Sequence, residues 1–115
     1  MKDNILIAKF MGWYHDEKHD LWYSPEMMKQ TSMREATLDM YFHKSWDWLM
    51  PVVEKIEKLG VTTQIWYAAG SKTYNTWILG LSYVYDSTDT FPSKIESVYS
   101  AVVKFIKWYN KQSKK

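Results

Sequence analysis

The chain contains no cysteine. Disulfides, thiolate metal sites and a cysteine nucleophile are therefore excluded, and the composition suits a reducing compartment. Glycine occurs only four times, and neither a G-x-x-x-x-G-K-[ST] nor a G-x-G-x-x-G spacing is present. No dedicated phosphate-cradling loop is expected. Arginine, the side chain best suited to bidentate phosphate or guanine contacts, appears once, at Arg34. Long apolar runs are missing too. The longest near the start, Ile5 to Ala8, is interrupted by Lys9. It is too short for a signal sequence or a membrane span, so the expectation is a cytoplasmic protein with no membrane partner.

What is abundant is aromatic area: seven Trp, nine Tyr and four Phe in 115 residues. A single domain of this length, 1–115, buries roughly two-thirds of the surface its unfolded chain exposes. Some rings should therefore remain outside, where Trp and Tyr are common anchors of binding sites. The net charge of +2 is too small to imply nucleic acid. Residues 94–115 nevertheless hold six lysines against one acid, Glu96, and 110–115 reads as a basic, solvated tail.

Periodicity outlines an α+β fold, with three helices packed on a small, mostly antiparallel sheet in a layered α/β sandwich. The first helix is predicted from an Asp3 cap to about Met11, with Leu6 and Phe10 on one face, Ile7 and Met11 on another, and Gly12 as the stop. Residues 13–43 predict two short extended segments around a Ser24-Pro25 turn, and residues 24–40 a mobile, Met-rich insert. In the second helix Leu49, Val52, Val53, Ile56 and Leu59 form a stripe closed by Gly60. Asp47 is its expected cap if Pro51 lies in the opening turn, and Ser45 the alternative if Pro51 kinks the helix. A strand over 61–67, a Gly70-Ser71 turn and a central strand over 77–85 follow. Pro92, Ser93 and Glu96 then open a third helix with a stripe from Ile95 to Tyr109.

His15 and His19 have the i, i+4 spacing of a zinc helix. Asp16 stands where such a motif needs Glu, and the segment follows a helix stop, so a charged surface loop is expected and no metal. His43 near Asp47 could form a base and its orienter, but no motif places a nucleophile beside them. Gly80 and Ser82, two apart on one predicted strand, suggest either a shallow floor between aromatic walls or close packing of a helix. Trp46 and Trp48 flank the second helix's stripe. Ala101, Phe105 and Trp108 lie beside that of the third, and are a candidate second apolar face for a homo-oligomer. The candidate ligand-binding set is Trp13, Trp22, Tyr23, Lys44, Trp46, Trp66, Lys72 and Trp77, rings for stacking with lysines, Lys94 among them, for phosphates.

Three segments carry a resemblance. Ile5-Leu6-Ile7-Ala8-Lys9-Phe10-Met11-Gly12-Trp13, the tryptophan-bearing Trp48-Leu49-Met50-Pro51-Val52-Val53-Glu54-Lys55, and the helix Lys94 to Lys104 resemble the beginning, middle and end of small phage-encoded proteins of the phage ABA sandwich domain type. The Met-rich insert departs from that pattern. The resemblance implies a fold and no catalytic residue. It also implies a phage or prophage accessory protein working in a bacterial cytoplasm, without a cofactor. Counter-defence by sequestering a nucleotide-type signal, or by blocking a host protein, is the leading expectation for it. The alternatives are a hydrolase of such a signal through His15, His19 or His43, and a weak single-stranded nucleic-acid binder.

Overall fold

The computed structural model describes residues 2–18, 21–23, 41–80, 84–86 and 90–113. The order of elements is α1 (Lys2–Phe10), β1 (Tyr14–Asp16), β2 (Leu21–Tyr23), α2 (Trp46–Glu57), β3 (Thr62–Ala68), β4 (Thr73–Leu79), β5 (Val84–Asp86) and α3 (Lys94–Ser113). Among the described residues this is an α+β fold of three helices and antiparallel strands. The strands divide between two sheets, the β1–β2 hairpin and a three-stranded sheet ordered β3-β4-β5.

α3 is the organising element. Ala101, Val102 and Val103 are all buried, as are Val98, Phe105 and Ile106, so the helix is covered well beyond a single stripe. It packs on β4 and also on α1 and α2. The core joins Ile7 and Ala8 of α1, Trp22 of β2, Phe42, the Leu49, Val52, Val53 and Ile56 stripe of α2, and Ile78 of β4. Ala101 and Phe105 therefore do not form a second exposed face, because they lie inside this chain's own core. Trp108 packs at its margin with its ring 5.8 Å from Phe105.

The helix ends follow their local chemistry. α1 closes in a Schellman turn, in which Trp13 N–H donates to Ala8 O at 2.9 Å, Gly12 N–H to Lys9 O at 3.1 Å, and Gly12 takes φ +82°. Asp3 lies inside the first turn of α1 rather than capping it, where its charge complements the helix dipole. Ser45, extended at φ −129° and ψ 126°, occupies the N-cap position of α2 without a side-chain capping bond; Asp47 again sits in the first turn. Pro51 falls inside α2, one turn later than an opening proline would. Leu59 lies past the helix end and is 45% exposed, so the stripe stops at Ile56. Lys55 of α2 donates to the carbonyl of Phe10 at 2.6 Å, and its ammonium stands 4.9 Å from the Phe10 ring centroid. That ring also meets Tyr109 of α3 in a T-shaped arrangement, 5.8 Å between centroids.

Three sequence-based expectations about strands change. Two extended segments are present after α1, but β1 and β2 both precede Ser24, and the chain reverses between Asp16 and Leu21. The Ser24-Pro25 turn and the insert over 24–40 lie outside the described residues. The single strand expected over 77–85 is two. β4 starts earlier, at Thr73, and ends at Leu79, and β5 runs back beside it with Ile78 opposite Tyr85. Gly80 therefore follows a strand end, and Ser82 lies outside the described residues. β4 is central in its sheet, the place expected of the strand over 77–85, although only Trp77, Ile78 and Leu79 of that stretch belong to it.

Candidate functional site

Alternation along β4 sorts its two faces. Thr76 and Ile78 are fully buried against α3, where the Thr76 and Ser97 hydroxyls meet at 2.7 Å. Thr73, Asn75, Trp77 and Leu79 consequently point to the opposite, outer face. Register carries the same division to β3: Gln64 lies opposite Trp77, Trp66 opposite Asn75 and Ala68 opposite Thr73. Trp66 and Trp77 are thus diagonal neighbours on one open sheet face, within reach of each other's long side chains. Trp66 is 59% exposed. Trp77 is half-buried, and its indole Nε1–H donates to Asn75 Oδ1 at 2.7 Å, which fixes the ring's tilt.

These side chains line a groove of about 330 Å³ together with Tyr67, Ala68, Ser71, Thr73 and Thr90. Its floor is the β3–β4 ladder and its end is the turn over residues 69–72. There Lys72 N–H donates to Ala68 O at 2.7 Å, and the Ser71 and Thr73 hydroxyls meet at 2.7 Å. Lys72 occupies the left-handed region at φ +56°, where a glycine would be expected. Lys72 is exposed and sits in the chain between Ser71 and Thr73, two residues that line the groove's end.

Of the residues singled out from sequence, Trp66 and Trp77 line this groove and Lys72 adjoins it. The others lie elsewhere. Trp22 and Tyr23 are 5% and 8% exposed, so their faces are spent on the core. Trp13 stacks on Trp48 at 5.5 Å and meets Phe42 edge-on at 5.8 Å, a wall of the core rather than a platform. Lys44 and Trp46 are exposed around the start of α2 but do not line the groove. Lys94 holds its ammonium 5.8 Å from the Tyr74 ring. Tyr74 lies on the sheet's other face, so Lys94 serves that side. Sequence reading missed Asn75, Thr73, Ser71 and Thr90. The alternation of Thr73, Asn75 and Trp77 against Tyr74, Thr76 and Ile78 was the available signal, hidden by the polar start of β4.

The two described histidines are engaged in structure, and His19 lies outside the described residues. His15 stacks on Trp22 across the β1–β2 pair, 4.3 Å between centroids and 13° between planes. His43 is oriented by Asn4 rather than by Asp47, for Asn4 Nδ2–H donates to His43 Nδ1 at 2.9 Å. Tyr99 O–H in turn donates to Asn4 Oδ1 at 2.9 Å. Burial, and then the charge of Asp3, push the Tyr99 phenol up to about 12. Among the described residues no group of three or more His, Asp or Glu side chains is placed to hold a metal ion, and no helix is long and apolar enough to cross a membrane. No protein-family model, curated protein or solved structure matches the chain.

Proposed function

We propose that this chain is a non-enzymatic binding protein that seats a flat, ring-bearing ligand of the nucleotide type on the outer face of the β3–β4 hairpin. The observation that carries this reading is the pair of indoles, Trp66 and Trp77, diagonal on an open sheet face above a groove of about 330 Å³. That volume lies at the small end of the range for small-molecule sites. Stacking contributes on the order of 1–3 kcal/mol per base, so two rings supply about 2–6 kcal/mol, and Lys72 adds attraction for a phosphate. Affinity from about 30 mM to about 40 μM follows from the rings alone.

The resemblance to small phage-encoded proteins supplies a setting: counter-defence in a bacterial cytoplasm, by sequestering a nucleotide-type signal or by blocking a host protein with the same aromatic face. Hydrolysis has less support, because His15 is stacked on Trp22 and His43 is held by Asn4. Isothermal titration against cyclic and linear nucleotides tests the proposal. Binding heat that disappears in Trp66→Ala, with the ligand recovered intact after long incubation, is the expected result. No heat with any nucleotide would transfer the reading to a protein target, and a cleaved ligand would reject the non-enzymatic reading.

A further inference from the structure

β3 differs from every other strand in what it leaves unpaired. The order β3-β4-β5 puts it at an edge, and among the described residues no strand lies against its outer side. In an antiparallel ladder alternate residues turn their N–H and C=O groups away from the partner, so this edge presents a row of backbone donors and acceptors. Edges that stay single are blunted by shortness, charge, proline or a bulge. β3 has none of these. It is seven residues long and pairs one-to-one from Thr62 opposite Leu79 to Ala68 opposite Thr73. It contains no proline, and no charged residue occurs from Leu59 through Ser71. Ile65, Trp66 and Tyr67 are 42%, 59% and 53% exposed. The sheet's other edge, β5, is three residues long and ends at Asp86.

We propose that β3 pairs antiparallel with β3 of a second copy, about a two-fold axis at Ile65, joining two three-stranded sheets into one of six. The strand suits its own reversal. With Ile65 opposite itself, Gln64 faces the partner's Trp66 and Thr63 faces the partner's Tyr67, and no like-charge pair arises within the strand. This centring engages all seven residues, and every shift from it shortens the ladder. Such an isologous pair consumes the one long free edge found among the described residues of each copy and so closes at two. Pairing β3 on β5 would engage only three residues and propagate as an open chain. The inference does not depend on the ligand reading, but it bears on the same face. The partner's Gln64 becomes a cross-strand neighbour of Trp66, and the two tryptophan pairs form one continuous belt.

The absence of native cysteine makes the test clean. Ile65→Cys places a single thiol at the axis, and Glu57→Cys, at an exposed position of α2, is the control. Under mild oxidation the first should give a covalent dimer well ahead of the second. Light scattering of the unmodified chain across the micromolar range should show a dimer. Ile65→Lys, which sets two like charges across the axis, should shift it to monomer while circular dichroism shows the fold intact. A monomer throughout, growth beyond two, a dimer that survives Ile65→Lys, or equal cross-linking of the two cysteine variants would each overturn the proposal. Nucleotide titration of a monomer would still read out the ligand site separately.

Discussion

Trp77 and Asn75 are tied to each other, the indole N–H donating to the amide oxygen two residues back on the same face of β4. The bond orients one ring of the groove, whereas Trp66 across the ladder stands in the open. Trp66→Ala should therefore lower nucleotide affinity by about 1–3 kcal/mol while changing stability by no more than about 0.5 kcal/mol. Asn75→Ala should weaken binding less, through loss of the ring's orientation. Titration calorimetry beside thermal melts separates these effects, and a stability loss that matches the affinity loss would contradict the assignment.

Lys72 tests the turn and the charge together. A non-glycine residue in the left-handed region costs on the order of 1 kcal/mol. Lys72→Gly should leave stability unchanged or raise it by up to about 1 kcal/mol, and should weaken binding of phosphate-bearing ligands relative to their nucleosides. Equal loss for both ligand types would show that the lysine does not face the phosphate.

The Thr76–Ser97 hydroxyl pair is the polar link between β4 and α3, buried on both sides. Removing one hydroxyl strands the other. Thr76→Val or Ser97→Ala should each cost about 1–3 kcal/mol, and the double variant less than the sum. A strictly additive result in denaturant melts would remove the bond as the cause.

Tyr99 gives the fold an alkaline limit. Its phenol is raised from 10.0 to about 12, so below pH 10 folded and unfolded chains both keep the proton and stability is whole. Between pH 10 and 12 the unfolded chain ionises first, and stability falls. Tyr99→Phe should flatten that part of the profile, at the expense of its bond to Asn4 near neutral pH.

Pro51 lacks the N–H that would reach the Asp47 carbonyl, and it is exposed. Pro51→Ala should restore one helical bond without opening a cavity and stabilise the chain by about 1–3 kcal/mol. A lower melting temperature would mean that the local backbone has adapted to proline.

Much of this fold is legible in the chain's periodicity. The α2 stripe from Leu49 to Ile56, the Gly12 stop and the start of α3 after Pro92 and Ser93 follow from spacing and cap chemistry. Strand limits are harder. From Trp77 to Tyr85 the residues are apolar except at Gly80 and Ser82, and these two can sit within a strand as readily as at a turn, so the reversal after Leu79 is only weakly marked. Composition shows that the rings outnumber the interior, and among the tryptophans only Trp22 is fully enclosed. It does not show which rings remain outside. Trp22 and Trp66 sit in similar short apolar runs, and only the packing of β2 into the core and the edge position of β3 distinguish them.

Lys55 has a mechanical consequence. One ammonium on α2 engages the last carbonyl of α1 and lies against Phe10, whose ring abuts Tyr109 of α3, so three helices share a single pin. Acylating that amine would withdraw the pin and leave the first helix seated by its greasy side and by the bonds of Asn4 to His43 and Tyr99. Under load or heat, the N-terminal segment would then be the first to peel away.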